Sequence, residues 1–173
     1  MPASYQSPMR KDKTKGRTHS QSVATNVQTE HSTVAQLLKG KGQDVFAVSP
    51  HDTLETAVRE LRDKRIGALI VKDDSGALCG ILSERDIVQN LAATPGQTLQ
   101  NAVQDVMTTK VETCGPAETL VSVLHRMTEG RFRHMPVVDG GALQGMVTIG
   151  DVVSFRLVEL EHASVRLKQL LVG

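Results

Sequence analysis

A hydroxyl residue followed three positions later by an aspartate occurs twice in this chain. The motifs are Ser83-x-x-Asp86 and Thr148-x-x-Asp151, and each follows an apolar run and opens a segment of helical pattern. A helix N-terminus presents free N–H groups and positive potential, which suit a phosphate. A hydroxyl there can donate to the phosphate, and an ionised Asp one turn inside can accept from two adjacent ribose hydroxyls. Together these groups predict a nucleotide ligand.

Helix capping is the alternative explanation for both motifs. A Ser or Thr at the N-cap accepts a hydrogen bond from the third helical amide, and an acid at that third position interacts favourably with the helix dipole. Capping alone accounts well for one isolated motif and less well for two motifs in register. Nucleotide binding is therefore the preferred hypothesis, and capping without a ligand stays open.

A cationic segment enters the middle strand of the second half of the chain. It reads RFRH at 131–134, and its two guanidinium groups could make paired, charge-assisted contacts with phosphate. The first half has Gly67-Ala68 where the second has Arg133-His134. We therefore predict that the cleft holding Thr148 and Asp151 is the more cationic and binds phosphate more tightly. Solvated arginines are the alternative, and a pairing or capping role is preferred for His134.

No catalytic arrangement is visible in the sequence. It contains no G-x-G-x-x-G, no G-x-x-x-x-G-K-[ST], no nucleophile elbow and no H-E-x-x-H motif. Nothing pairs a nucleophile with a base, and His134 has no partner at metal-ligand spacing. The sequence predicts a protein that binds a ligand without transforming it, with no catalytic cofactor and no metal.

An internal repeat positions the two motifs. The run from Val45 to Val88 aligns with the run from Val111 to Val153 when one residue is removed near Asp74. A repeat of this length is a duplicated folding unit. Apolar periodicity predicts a helix after Thr53, and a continuous apolar run predicts a buried strand at 68–71. The predicted elements are strands 45–48, 68–71, 78–82, 111–114, 136–138 and 143–147, helices 53–61, 83–91, 119–128 and from 148 onward, and short helical lead-ins at 34–38 and 103–107.

Composition narrows the function classes. The chain has 173 residues, 39% hydrophobic but only 2% aromatic, so an aliphatic core is expected and a bound base must be held mainly by aliphatic side chains and backbone. No run approaches the roughly 18 apolar residues of a membrane helix. The net charge is +1, with the basic excess in residues 1–30, so the body offers no nucleic-acid face. Cys79 and Cys114 lie in apolar runs, which predicts reduced thiols and a cytoplasmic protein.

Both ends of the chain differ from the repeats. Residues 1–31 are polar and lack periodicity, which predicts a disordered basic tail. An electrostatic arm for nucleic acid and a mitochondrial-type presequence are the alternatives for this tail. After Asp151 the last helix carries more apolar residues than a small domain can bury, so we predict that part of it contacts a second copy in a homodimer.

The ordered part of the chain resembles a tandem pair of cystathionine β-synthase (CBS) domains, often called a Bateman module. The matching segments are 49–54, 66–71, 80–88, 133–138 and 145–153, within a region of about 34–158. The resemblance implies an α/β fold of two β-α-β-β-α units, 34–92 and 103–158. A pseudo-twofold axis relates the units, which pack through their sheets and leave two clefts. Residues 159–173 would end a long C-terminal dimerisation helix.

The resemblance also implies adenosyl ligands, namely AMP, ADP, ATP, S-adenosylmethionine or, in some stand-alone members, NAD(H). It implies that Asp86 and Asp151 each hold a ribose, that Arg133 reaches phosphate, and that Phe132 borders the base. The predicted nucleotide-binding residues are Ala47, Ile66, Gly67, Ser83, Arg85, Asp86, Thr113, Phe132, Arg133, His134, Thr148, Ile149, Gly150 and Asp151. Because Gly150 stands where the first repeat has Arg85, the two clefts are not equivalent.

The leading interpretation is a stand-alone, non-enzymatic regulator. It would bind AMP, ATP or NAD between its repeats, act as a homodimer and signal its ligand state to an unidentified partner protein through a shift in conformational equilibrium. The first alternative is a pure protein-interaction module whose Ser/Thr-x-x-Asp motifs are structural caps. The second is a nucleic-acid-associated protein that uses its basic tail.

Overall fold

The computed structural model describes residues 32–96 and 98–172. The predicted tail at 1–31, with its presequence and arm hypotheses, lies outside these residues. The α/β prediction with a long C-terminal helix is confirmed. The elements are α1 (Val34–Lys41), β1 (Ala47–Val48), α2 (Leu54–Lys64), β2 (Ala68–Lys72), β3 (Leu78–Ser83), α3 (Glu84–Ala93), α4 (Leu120–Gly130), β4 (His134–Asp139), β5 (Ala142–Thr148) and α5 (Ile149–Val172), with 3-10 turns at Thr98–Gln100 and Val103–Asp105.

Each repeat contains its own small sheet. In the first, β1 pairs in parallel with β2 through Ala47 and Ile70, and β2 pairs antiparallel with β3. In the second, β4 pairs antiparallel with β5. The four residues of β2 that were predicted to be buried on both faces, 68–71, are all buried. The sheets place the last residues of β3 and β5, Ser83 and Thr148, at the N-termini of α3 and α5.

Two predicted elements are wrong. The strand at 111–114 is reduced to one bridge between Cys114 and Val137, because Pro136 has no N–H to donate where Ile70 N of the first repeat donates to Phe46 O. The second lead-in is a single 3-10 turn instead of a helix. Its N-cap residue, Ala102, makes no side-chain cap, whereas Thr33 and Gln36 form a capping box at the start of α1.

The lead-ins dock crosswise, each on the other repeat. The core of the second repeat contains Val34, Leu37 and Leu38 of α1, and the core of the first contains Val103. A glycine of the second repeat, Gly145 on β5, lies against this docked helix. A Cβ on Gly145 would lie 3.0 Å from Leu38 Cδ2, so any larger residue there would press on the side chain that α1 docks against β5. Each hydrophobic core is therefore completed by residues that precede the opposite repeat in sequence.

The state of the cysteines and the character of the helices also bear on the class of protein. Both cysteines are free, as predicted, and burial raises the pKa of the Cys114 thiol to about 11, which keeps it protonated. Within residues 32–96 and 98–172, no helix has the length and apolar character needed to cross a membrane.

The crosswise docking of α1 predicts a large destabilisation by Leu38→Ala. Leu38 is 5% exposed in the second core, so the free energy of unfolding, measured in urea, should fall by about 2–5 kcal/mol. Leu99→Ala is the control, since Leu99 is 42% exposed and should change stability by no more than about 0.5 kcal/mol. Equal small losses for the two variants would contradict the docking.

Candidate functional site

A cavity of about 650 Å³ opens between the two repeats, within the size range of small-molecule sites. Its walls are the N-terminus of α3, the turn from α4 into β4, and residues 108–112, which lead into the second repeat. The predicted site residues on its walls are Gly67, Ser83, Arg85, Asp86, Phe132, Arg133 and His134. The cavity therefore combines the first Ser/Thr-x-x-Asp motif with the cationic segment of the second repeat.

The N-terminus of α3 is closed by a complete capping box. Asp86 Oδ2 accepts from Ser83 N at 2.8 Å and from Ser83 Oγ at 2.6 Å, and the Asp86 amide approaches Ser83 Oγ at 3.4 Å. The capping explanation is thus correct for this motif, but it occupies only one carboxylate oxygen. Asp86 Oδ1 accepts no hydrogen bond from any residue that the structure describes, so it remains available to a ligand.

The backbone amides at this helix start are mostly engaged. Glu84 N donates to Gly67 O at 3.1 Å, and Asp86 N faces Ser83 Oγ. Among the first three amides of α3, that leaves the one of Arg85 without a partner in the described residues. An anion here would depend mainly on side-chain cations, with one amide adding to the positive potential of the helix end.

The turn that ends α4 directs the cationic segment into the cavity. Arg131 adopts a left-handed conformation with φ of 55°, and Phe132 N donates to Met127 O at 3.1 Å. Arg65 holds the same conformation at the end of α2, with φ of 53°. The left-handed conformation is unfavourable for a residue with a side chain. At both positions it lets the chain change direction within one residue at the end of a helix. Phe132 lies directly over Gly130, where a Cβ would overlap the ring.

The prediction that the arginines belong to the Thr148 cleft is wrong. Arg131 and Arg133 line the cavity of the Ser83 motif, and the Arg85 guanidinium donates to the carbonyl of Arg131. The start of α3 in one repeat thus faces the turn before β4 in the other. The cleft is shared between repeats, so sequence neighbours of Thr148 need not lie in the cleft of Thr148.

Acidic and basic side chains surround the cavity together. The charged residues on its walls are Glu84, Arg85, Asp86, Lys110, Glu112, Arg126, Glu129, Arg131 and Arg133. Arg126 is neutralised, since it bonds Glu112 at 2.8 Å and Glu118 at 3.0 Å. No ion pair in the described part of the chain involves Lys110, Arg131 or Arg133. These three cations are therefore available to an anionic ligand.

His134 lies at the junction of the two repeats. A Cβ on Gly67 would lie 3.1 Å from His134 Cε1 and Nε2, so the imidazole packs closely against the backbone of the first repeat, where a larger residue would press on the ring. Burial lowers the pKa of His134 below its usual value, and the carboxylate of Glu84 opposes this only in part. The ring is thus neutral at pH 7 and offers the cavity one donor and one acceptor.

The second motif forms the same cap but is covered by α1. Asp151 Oδ2 accepts from Thr148 N at 2.8 Å and Thr148 Oγ1 at 2.7 Å, and it also forms an ion pair with Lys41. Lys41 Nζ donates a further bond to Met146 O at 3.0 Å. The ammonium group thus neutralises the carboxylate at the same oxygen that serves the cap, and Asp151 Oδ1 has no partner among the described residues. The predicted site residues that do not line the cavity are Ala47, Ile66, Thr113, Thr148, Ile149, Gly150 and Asp151.

The two clefts differ because the two lead-ins differ. The helix α1 continues to Lys41 and so carries its lysine to Asp151. The second lead-in stops as a 3-10 turn, and Thr108 then pairs with Ile81 through two backbone bonds of 2.9 and 3.0 Å. Lys110, which holds the equivalent place in the second lead-in, stays exposed and makes no ion pair with Asp86.

Several cavity residues were missed at the level of sequence. They are Ile81, Glu84, Thr108, Lys110, Val111, Glu112, Arg126, Glu129 and Gly130. Lys110 had a detectable signal, because aligning the lead-ins VAQLL and VQDVM places it opposite Lys41. The others lie on β3, α3, α4 and the segment 108–112, where the sequence shows no distinguishing pattern.

The comparisons with known proteins point to one family. The family model of the CBS domain matches residues 42–93 and 103–157. A CBS domain-containing protein of Arabidopsis thaliana, CBSX3, mitochondrial by name, is 33% identical over 141 residues, or 77% of this chain and 68% of that protein. The crystal structure of a CBS-domain containing protein from Agrobacterium tumefaciens matches with a TM-score of 0.72 at 40% identity, covering 75% of this chain and 96% of that one.

A more distant structure shares the fold. It is the CBS domain pair of protein MJ0100, in complex with 5′-methylthioadenosine and S-adenosyl-L-methionine. Its TM-score is 0.65 at 23% identity, and the match covers 74% of this chain and 98% of that one.

The ion pair at the second motif predicts a change in the pKa of Asp151 on Lys41→Met. Burial raises this pKa, but the hydrogen bonds from Lys41 and Thr148 outweigh burial and hold it below 3.8. Removing Lys41 leaves only Thr148 against burial, so the pKa should rise, as followed by NMR titration of the carboxyl carbon. Lys39→Met, an exposed lysine of the same helix, is the control and should leave it unchanged.

The same variant predicts a pH dependence of stability. A carboxylate whose folded-state pKa is lowered stabilises the fold above its unfolded pKa, and this contribution is lost as the pH falls through the folded value. Lys41→Met should therefore be less stable than Lys39→Met at neutral pH, with the difference fading in acid. An unchanged pKa of Asp151 in Lys41→Met would contradict the ion pair.

Proposed function

Since the chain belongs to the CBS-domain family as a tandem CBS pair, we propose that it is a non-enzymatic regulator. It binds one phosphorylated adenosyl ligand, AMP, ATP or NAD, in the cavity at Ser83 and Asp86. The observation that carries the proposal is the set of groups that line one cavity of about 650 Å³. They are a carboxylate oxygen without a partner, three cations with neither an ion pair nor a side-chain hydrogen bond among the described residues, and one aromatic ring. The adenosyl ligands in the complex of MJ0100 support the ligand class.

Each part of such a ligand has a matching group in the cavity. Asp86 Oδ1 accepts from the ribose hydroxyls, as a charge-assisted acceptor. Arg133, Arg131 and Lys110 surround the phosphate, with the amide of Arg85 as the backbone donor. The base lies against Phe132, because an aromatic face stacks on a purine and is the main large apolar surface on these walls.

The closed second cleft limits the stoichiometry. Lys41 already neutralises Asp151, and the predicted residues around Thr148 do not line the cavity. A ribose at Asp151 would meet a carboxylate whose charge is already balanced by Lys41, which also bonds to the backbone of β5. We therefore assign one ligand to each chain, in the cavity of the first motif.

Ligand binding acts through the contact between the repeats. Asp86 belongs to the first repeat and Arg133 to the second, so a ligand held by both favours one arrangement of the two units. Binding can shift the equilibrium only as far as the ligand prefers that arrangement. A partner protein reads the shift, and the regulator itself acts as a homodimer in the cytoplasm, a reducing compartment that the free Cys79 and Cys114 favour.

A pure protein-interaction module is the second candidate. It is favoured by the capping boxes, since both aspartates already stabilise helix starts without any ligand. The two candidates differ in the response to adenosyl compounds, which the first requires and the second lacks.

Thermal unfolding is predicted to distinguish AMP from adenosine. At a ligand concentration of 100 times the dissociation constant, binding stabilises the folded state by about 2.7 kcal/mol. Each kcal/mol raises the midpoint of a domain of this size by roughly 2–4 °C. AMP or NAD should therefore raise the midpoint by several degrees and adenosine by little, and Arg133→Ala should remove most of that difference.

Arg131 and Arg65 provide a matched pair of variants for this experiment. Both hold left-handed turns, so Arg131→Gln and Arg65→Gln should alter the stability of the free protein alike. Only Arg131 lines the cavity, so only Arg131→Gln should weaken the response to AMP. Equal shifts from AMP and adenosine would contradict the role of the cations. The absence of any shift with adenosyl compounds would favour the interaction module.

Asp86→Asn is predicted to lose affinity while the fold remains stable. Asparagine keeps an acceptor for Ser83 N, and the weaker dipole interaction costs about 0.3–1 kcal/mol. A charge-assisted bond to ribose contributes about 1.5–3 kcal/mol, so the dissociation constant of AMP, measured by titration calorimetry, should rise about tenfold or more. Asp151→Asn is the control, with one AMP bound per chain at unchanged affinity. Binding that depends on Asp151 instead would overturn the assignment of the cleft.

A further inference from the structure

The C-terminal half of α5 projects beyond the body of the protein. Val152 is buried in the second core, and Ile149 and Phe155 pack against that core. The last contact with the body is Glu159, which accepts from Ser32 Oγ. From 160 to 171 every side chain is exposed, a length of about 18 Å at 1.5 Å per residue.

The exposed side of this helix carries a regular apolar stripe. Its members are Val153, Leu157, Leu160, Leu167 and Leu171, with Ser164 in the remaining place, and their spacing of four and three residues is the heptad pattern of a coiled coil. The five apolar side chains are 43% to 86% exposed. A helical segment this short is marginally stable in water without tertiary packing, so we expect another apolar surface to pack against the stripe.

The charged residues beside the stripe indicate which helix packs against it. Arg156, Glu161 and Lys168 occupy the flanking heptad positions, where charges select the partner helix. In a parallel pair of identical helices, Arg156 of one faces Glu161 of the other. In an antiparallel pair, Glu161 of one faces Lys168 of the other. Either orientation places opposite charges together, so the helix is complementary to itself.

Exposed apolar side chains also occur on the body of the protein. Val88 on α3 is the repeat equivalent of Val153 on α5, and it is 63% exposed. Leu91, one turn further along α3, is also exposed.

We propose that the heptad stripe of α5 pairs with the same stripe of a second copy of this chain in a two-helix coiled coil. The inference deepens the homodimer of the proposed function and does not depend on the nucleotide. Glu161 is the specificity-determining charge, because it has an oppositely charged neighbour in both orientations.

The first test measures the mass of the full chain in solution by light scattering at micromolar concentration. The unmodified protein should be a dimer. The double variant Leu160→Lys/Leu167→Lys should be monomeric, because two charges enter the apolar seam. The matched control is His162→Lys/Gln169→Lys, which adds the same charges on the opposite side of the helix and should remain a dimer.

Two readouts separate this inference from the proposed function. The monomeric double variant should still bind AMP with unchanged stoichiometry, because the cavity residues lie at 67–134. Loss of dimerisation with retained AMP binding supports the coiled coil. A dimeric double variant, or a monomeric unmodified protein, overturns it whatever AMP does. Failure of AMP to bind to a dimeric protein would count only against the proposed function.

Charge reversal provides the second test. Glu161→Lys should raise the dissociation constant of the dimer more than about tenfold. Adding Arg156→Glu should restore dimerisation if the helices are parallel, and adding Lys168→Glu should restore it if they are antiparallel. Rescue by either supports self-pairing, and rescue by neither overturns it.

Discussion

The crosswise docking of the lead-in segments is the constraint on which the rest of the structure depends. Each repeat has a small sheet and two helices, too little to bury a core alone. The core of the second repeat is completed by Leu38 and its neighbours, and that of the first by Val103. Neither repeat is therefore self-sufficient. This requirement holds the units face to face and creates the clefts between them.

The same docking makes the clefts unequal. One lead-in is a capped helix that carries Lys41 to Asp151, and the other is a short turn that leaves Lys110 exposed. In one cleft Lys41 balances the charge of the capped Asp151, at the same oxygen that serves the cap. In the other cleft no lysine pairs with the capped Asp86, which faces a cavity rich in cations. Duplication thus provides two similar helix starts, and the lengths of two connecting segments determine which one a ligand can reach.

The sequence predicted the fold well because the fold rests on local signals. The stripe after Thr53, the buried run at 68–71 and the hydroxyl caps each operate within a few residues, and the repeat supplied each signal twice. Apart from the second lead-in, whose N-cap residue Ala102 offers no cap, the failures depended on distant partners. The strand at 111–114 was lost because Pro136 of β4 has no N–H to donate to it, and the arginines were assigned to the wrong cleft because clefts are shared across the repeat boundary. The ion pair between Lys41 and Asp151 could not be predicted, because it depends on where α1 docks, and composition and periodicity do not reveal this.

The helices that begin at the motifs also connect ligand and assembly. The cavity lies at the N-terminus of α3, and the exposed Val88 lies on the same helix, little more than one turn away. The helix α5 starts at the closed motif and ends in the heptad stripe. The proposed ligand, held by Asp86 in the first repeat and Arg133 in the second, would favour one relative position of α3 and β4. Val88 and Leu91 lie on the same helix as Asp86, so a movement of α3 would move these exposed side chains too. Any effect of the ligand on the proposed dimer is reciprocal, because dimerisation then changes ligand affinity by the same factor.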